Sequence, residues 1–278
     1  MNTLRPQGNL RAAGLLCTFA LSLVALTTAA AQQPQPTPTP ADNEYQVGAI
    51  LWTQTSGEIR ALYYQAFKLA RLVLDQDLKH KSKLRRAVVV DIDETVLDNS
   101  PQQAWLVRER KEFNQPDWAA WVKLADAQPL PGAVEFLRYA DAKGVRVFYI
   151  SNRKEEERAG TMANLRKFNF PNVTDETVLL RGSVSSKEPR RKQVAAQHRI
   201  VLLMGDNLND FAEVFEKRTV AERLAAVEQN RDQFGTQFIM LPNAMYGDWE
   251  SAIYSNPTPS EPRAVRRRNT LKAFTPQP

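Results

Sequence analysis

Two short apolar runs, Ala87-Val88-Val89-Val90 and Ile200-Val201-Leu202-Leu203-Met204, each stop abruptly at carboxylates, and this pairing constrains the fold most. Neither run alternates apolar with polar residues, so each predicts a strand buried on both faces, as in a parallel sheet covered by helices. Such sheets place ligands at the carboxyl ends of their strands. The first run breaks into Asp91, Asp93, Glu94 and Asp98, and the second into Gly205-Asp206-Asn207-Leu208-Asn209-Asp210. Two acidic strand ends predict one charged site above the sheet. The bland alternative for either is an acidic loop or a helix-capping turn.

Between the runs, strand and helix alternate. Pro131-Gly132 opens a helix that reaches Lys143, Gly144 ends it, and Val145 to Ile150 predicts a strand leading into Ser151-Asn152-Arg153. A helix from about Glu155 to Phe168, a strand at Val178 to Leu180, a polar turn Arg181 to Glu188 containing Lys187, and a helix Pro189 to Gln197 follow. The expected fold class is α/β, a doubly wound and mainly parallel sheet. Pro101 to Leu130 breaks the alternation just after the first acids and holds Trp105, Phe113, Trp118 and Trp121. It predicts a small helical cap insertion, with aromatics that either sandwich a flat substrate group or form the insertion's own core. Tyr45 to Leu78 carries apolar residues at helical spacing, with a break near Ser56-Gly57, and predicts an N-terminal helical extension packed by one face.

The acids suit phosphoryl chemistry. With a divalent cation between them and the substrate, Asp91 can stay ionised beside an anionic phosphoryl group and attack it, while Asp93 carries the proton as acid and then base. Asp206 completes an oxygen-rich cation site with Asp91 and the Asp93 carbonyl, and Asp210 supports it by orienting Lys187 or a metal-bound water. Ser151 at its strand end would hold a phosphoryl oxygen, or else cap a helix. A phosphoacceptor receiver domain gathers similar groups but lacks an acid two residues after its acceptor; Asp93 argues for turnover. With His80 and His198 the only histidines, a serine-histidine triad or a histidine-rich zinc site has little support.

The chain's ends carry other information. Arg5 and Arg11 precede an apolar run, Ala12 to Leu26, that ends in Thr27-Thr28-Ala29-Ala30-Ala31, the pattern of a cleaved secretory signal peptide. Export to the periplasm or medium is therefore expected. Cys17, the only cysteine, lies inside the run, preceded by Leu15 and Leu16, which makes lipid anchoring unlikely and leaves the mature chain without thiol or disulfide chemistry. A proline-rich spacer follows from Gln32. Of the formal charge of +6, residues 1–31 hold +2 and residues 261–278 hold +4, so the body is neutral and no specific nucleic-acid partner is expected. The tail reads as solvated, with contact to anionic lipopolysaccharide, lipid or nucleic acid as the alternative. The expected organisation is a signal peptide over 1–31, a linker over 32–44, a catalytic domain over 45–256 with its cap over 98–130, and a basic tail over 257–278.

The ordered set Asp91-x-Asp93-x-Thr95, Ser151, Lys187 and Gly205-Asp206-x-x-x-Asp210 resembles the four motifs of the haloacid dehalogenase superfamily of phosphohydrolases. VVDIDETVLDN and VLLMGDNLNDF look like signature segments of its class C acid phosphatases, often described as lipoprotein acid phosphatases or 5′-nucleotidases. WTQTSGEIRALYYQA and LPNAMYGDWE look like their flanks, so the resemblance runs from about Gln46 to Glu250. It implies a haloacid-dehalogenase-like Rossmannoid core and a Mg²⁺-dependent phosphomonoesterase acting on a nucleotide or aryl phosphate. Asp91 would be the nucleophile and Asp93 the acid and base. Thr95, Ser151 and Lys187 would bind phosphate; Asp91, the Asp93 carbonyl and Asp206 would hold Mg²⁺ with Asp210 in support. Trp118 and Tyr246 would hold the leaving group. A homodimer is also implied; an integral membrane protein is not expected, because the apolar run before Thr27 is short for a span. Gln102 stands where the family signature usually has tyrosine, which bears on leaving-group preference. Phosphotransfer to an alcohol and non-catalytic nucleotide binding in the cell envelope are the alternative functions.

Overall fold

The computed structural model describes residues 42–255 and 261–275. The signal-peptide pattern, Cys17 and nearly all of the proline-rich spacer lie outside the described residues. The chain enters through a 3-10 turn, Glu44–Gln46, into helix α1 (Val47–Thr55) and helix α2 (Gly57–Leu78). The break falls at Ser56, which is extended and accepts the Ile59 N–H with its hydroxyl, capping α2. Ile59, Tyr63, Phe67, Ala70 and Leu74 form the buried stripe, while Leu51, Leu62, Leu69 and Leu72 stay exposed. The docked face is thus narrower than the apolar content suggests.

Strand β1 (Arg85–Val90) then leads to a short strand β2 (Leu97–Asp98), α3 (Ser100–Arg108), α4 (Gln115–Leu124) and a short strand β3 (Gln128–Pro129). β2 and β3 pair antiparallel. They form a neck under the helical insertion, which sequence periodicity could not resolve in elements of two residues. Next come α5 (Ala133–Ala142), β4 (Arg146–Lys154), α6 (Arg158–Lys167), β5 (Val178–Arg181), α7 (Glu188–Ala195) and β6 (His198–Gly205). The chain continues through α8 (Val220–Gln229), β7 (Phe238–Met240) and α9 (Asp248–Ser251) to α10 (Arg263–Thr270).

The main sheet is parallel, in the order β5-β4-β1-β6-β7. β1 sits at its centre, and successive residues face opposite layers. Val88 and Val90 join the larger core with α2, α5 and α6, whereas Ala87 and Val89 join a second core with Val194, Phe211, Phe215 and Phe238. Burial on both faces is what the unalternating valines require. Because the chain winds outward from β1 in both directions, β1, β4 and β6 end side by side at the switch point, where open α/β sheets bind ligands. No helix among the described residues is long and apolar enough to cross a membrane.

The tail departs from expectation. Residues 263–270 form α10, whose Arg267 pairs with Asp42 at 2.7 Å and lies 3.7 Å over the Tyr45 ring. It also donates to the Tyr254 hydroxyl at 3.1 Å. Charge composition alone reads as solvation, but an acid and two tyrosines supplied by distant segments give the guanidinium a docking place.

Candidate active site

The floor of the site is built at the ends of β1 and β6. The Asp91 N–H donates to the Met204 carbonyl at 2.9 Å, tying the two ends together. Asp210 folds back over Gly205 on a 3-10 turn, Leu208–Asp210, and takes the Asn207 N–H at 3.0 Å. A Cβ at position 205 would overlap the Asp210 carboxylate, so only glycine permits this return. Asp91, Asp206 and Asp210 thereby present oxygens within 4.8 Å of one another.

Lys187, at the start of α7, reaches into this group. Its ammonium pairs with Asp91 and, at 2.6 Å, with Asp210, and its side chain is only 7% exposed. Burial alone would depress the lysine, but Asp210 and Asp91 outweigh it and push it up to about 12. Burial also pushes the Asp91 carboxyl up to about 7, against the pull of Lys187. Burial, with Asp210 and Asp91 alongside, holds Asp206 well above the usual carboxylate range. One lysine does not balance three crowded carboxylates. An all-oxygen cluster short of positive charge is the donor set that a hard divalent cation satisfies.

Asp93 stands beside the floor and is gripped from several directions. The guanidinium of Arg153 donates to Asp93 Oδ1 from Nε at 3.0 Å and from Nη2 at 2.8 Å, and to Oδ2 from Nε at 3.2 Å. Asn99 Nδ2 donates to Oδ1 at 2.9 Å, and the Ser151 hydroxyl to Oδ2 at 3.4 Å. Arg153, Asn99 and the residues behind them were not among the sequence candidates. A signal for Arg153 did exist: two residues past Ser151 on an extended strand, it shares Ser151's face. β4 runs on to Lys154, so Ser151 is strand and not a helix cap.

Two expected phosphate contacts, Thr95 and Ser151, each bond to a carboxylate of the site. Thr95 is fully buried and gives its hydroxyl to Asp206 Oδ1 at 3.2 Å, supporting that carboxylate. Ser151 is also fully buried and accepts the Arg153 N–H at 3.1 Å while facing Asp93. The neighbouring Arg190 braces this strand end, donating to the Ser151 carbonyl at 2.6 Å and to Asn152 at 2.7 Å.

Above the floor opens a cavity of about 1000 Å³, and both expected aromatics, Trp118 and Tyr246, line it. The Arg153 guanidinium lies 5.4 Å over the Trp118 ring, and Phe113 packs against Trp118 at 6.1 Å. Trp105 instead faces outward under Lys111 at 4.5 Å, and Trp121 hydrogen-bonds to Asn99. Tyr246 rides on the loop after β7, which is laced to the floor. Asn243 donates to Asp206 Oδ2 at 2.9 Å and accepts the Met245 N–H at 2.9 Å. Asp248 accepts from Asn207 and Asn209 at 2.8 and 2.6 Å. Arg263 and Arg267 of α10 complete the rim.

Comparison with known proteins agrees with this geometry. The family described as HAD superfamily, subfamily IIIB (Acid phosphatase) matches residues 17–249. The class C acid phosphatase of Bacillus anthracis has a similar structure, with a TM-score of 0.79 and 43% identity over 83% of this chain and 98% of that one. The same enzyme's crystal structure with tungstate bound is similar at 42% identity and the same TM-score. A stem 31 kDa glycoprotein of Glycine max is 29% identical over 128 residues, 44% of this chain. The chain spans about half the length of the curated relatives it matches. Motifs, sheet order, floor and family match converge: this chain belongs to subfamily IIIB of the HAD superfamily, the acid phosphatases, whose chemistry is phosphomonoester hydrolysis.

Proposed function

We propose that this protein is an exported, Mg²⁺-dependent acid phosphatase that hydrolyses phosphomonoesters, 5′-nucleotides foremost, through a phosphoryl group held transiently on Asp91. The observation that carries this reading is the buried Asp91–Lys187–Asp210 cluster beside Asp206 at the sheet's switch point. Asp91, Asp206 and Asp210 are the residues that would hold Mg²⁺, which supplies positive charge to keep Asp91 ionised next to a dianionic ester. An Asp91 oxygen attacks phosphorus in line as the bond to the ester oxygen breaks, and Asp93 gives that oxygen its proton, releasing the alcohol. Asp93, now a carboxylate, takes a proton from water as the water oxygen attacks phosphorus. Inorganic phosphate leaves and Asp91 is restored. Lys187, fixed by Asp210, opposes charge on the non-bridging oxygens throughout.

The preference for nucleotides rests on Trp118 and Tyr246, two flat aromatic surfaces lining one cavity, which suit a nucleobase. Tungstate is a tetrahedral oxyanion like phosphate, and its binding to the Bacillus neighbour is in keeping with an oxyanion site here. Export rests on the pattern of residues 1–31. The test is phosphate release by the purified protein across acid to neutral pH, with Mg²⁺ or EDTA, comparing 5′-nucleotides, 3′-nucleotides and phenyl phosphate. Mg²⁺-dependent release fastest from 5′-nucleotides is expected; release indifferent to EDTA would overturn the metal's part.

A further inference from the structure

We propose that Asn99 and Trp121 are positioning residues for Asp93, so that helix α4 of the cap sets the geometry in which the leaving group is protonated. The inference rests on the acid role given to Asp93 above.

Asn99 is fully buried and its side-chain amide is committed on both ends. Its Oδ1 accepts the Trp121 Nε1–H at 2.8 Å, and its Nδ2 donates to Asp93 Oδ1 at 2.9 Å. An indole N–H can only donate and a carboxylate oxygen beside Arg153 accepts, so the amide has one orientation that satisfies both neighbours. The backbone of Asn99 is fixed too. Its N–H donates to Glu94 Oε1 at 2.8 Å, and its carbonyl accepts the N–H groups of Gln102 and Gln103 as α3 begins. Glu94 itself sits at φ +56°, a left-handed conformation that is uncommon outside glycine, and is buried. Nothing in this chain of contacts is free to drift.

The same helix reaches Asp93 by a second route. Trp118, one turn before Trp121, lines the cavity and underlies the Arg153 guanidinium, which holds Asp93 by three hydrogen bonds. Arg153 is further held through Nη1 to the Thr161 hydroxyl at 3.2 Å on α6. α6 approaches the α4 backbone so closely at Gly160 that a Cβ there would meet the Val122 carbonyl. α4 therefore presents one tryptophan to the substrate's leaving group and the other, through Asn99, to the acid that protonates it. Leaving-group recognition and proton delivery are held by one rigid element.

The experiment compares kcat/KM for phenyl phosphate and p-nitrophenyl phosphate, whose rings stack alike but whose leaving oxygens differ in basicity. p-Nitrophenoxide, a much weaker base, departs with little help from an acid. Trp121→Phe keeps an aromatic ring, though a smaller one, and removes the N–H, freeing the Asn99 amide to turn. Asn99→Leu nearly keeps the size, adds no charge beside Asp93 and Glu94, and removes both the acceptor for Trp121 and the donor to Asp93. Each is expected to lower kcat/KM for phenyl phosphate by about tenfold or more, a fraction of the ~10²–10⁴ that a positioned acid supplies, with a much smaller change for p-nitrophenyl phosphate. Equal losses on both esters, or none on either, in folded protein would overturn the inference. If Trp121→Phe does not fold, Asn99→Leu decides alone. Should wild-type protein hydrolyse neither ester, it is the phosphatase reading that fails.

Discussion

The floor of the cavity and its wall differ in how they are made. On the floor, Asp91, Asp206 and Asp210 issue from the neighbouring ends of β1 and β6 and Lys187 from the turn after β5 in the same parallel sheet, and charge pairing locks them together. On the wall, Trp118 comes from the cap, Tyr246 from the loop after the last strand and Arg267 from the C-terminal helix. In the proposed reaction the floor is preorganised charge that any phosphoryl group would meet, and the wall would meet only what the phosphate is attached to. Losses at the floor should therefore be the same for every ester, and losses at the wall should depend on the leaving group.

The sharpest break comes from Asp91→Asn, which removes the attacking oxygen's charge. Turnover should fall by at least about 10⁴ for nucleotide and aryl esters alike, in a phosphate-release assay on folded protein. A variant keeping substantial metal-dependent activity would refute the nucleophile assignment. Gly205→Ala tests the floor without touching a charge. The new methyl would displace Asp210 and release one arm of Lys187, and displacement by an ångström costs about 10² in rate. Again both esters should suffer equally. Tyr246→Ala inverts the pattern: KM for 5′-nucleotides should rise by up to about tenfold, as loss of an aromatic contact worth ~0.5–1.5 kcal/mol implies. Glycerol phosphate, with no ring to stack, should be hydrolysed almost as before.

The same contrast explains what could be read without a structure. Floor residues are announced locally, because a buried strand that stops at an acid is visible within a dozen residues, and Asp91 and Asp206 each have that context. That the sheet is parallel followed from the alternation of strands and helices. Wall and support residues carry no such local mark. Asn243 reaches Asp206 across 37 positions and Asn99 reaches Trp121 across 22, and asparagines in polar stretches look like turn formers until their partners are known. β7 is too short, at Phe238–Met240, for periodicity to show it. Arg267 meets Asp42 across 225 positions, which is why a basic tail read as solvated.

The floor's missing positive charge gives a prediction in stability. Asp91 holds its proton up to about 7 when folded and only to about 4 when unfolded, so within that window the folded state binds more protons. Raising pH through the window therefore removes stability from the metal-free protein, and Asp206, shifted the same way, adds to the effect. A dication bound by the cluster would take the place those protons hold. Added Mg²⁺ should accordingly raise the melting temperature more at about pH 7.5 than at about pH 5, where it must displace protons to bind. The same increment at both values would mean that the cluster does not bind the metal.

The smallest expected effect lies farthest from the floor, at Arg267→Ala. Its partner Asp42 has a side chain 62% exposed, and such pairs contribute ~0–1 kcal/mol. The guanidinium over Tyr45 adds ~0.5–1 kcal/mol at an exposed site. Together they amount to about 1 kcal/mol, a melting shift of ~2–4 °C for a domain of this size. Because Arg267 rims the cavity without approaching the floor carboxylates, kcat for glycerol phosphate should not change. KM for nucleotides should move if α10 forms part of the wall that a base occupies, and a change in KM without a change in kcat marks uniform binding lost. A fall in kcat for both esters would instead mean that α10 steadies the floor, and that floor and wall are less separate than their construction indicates.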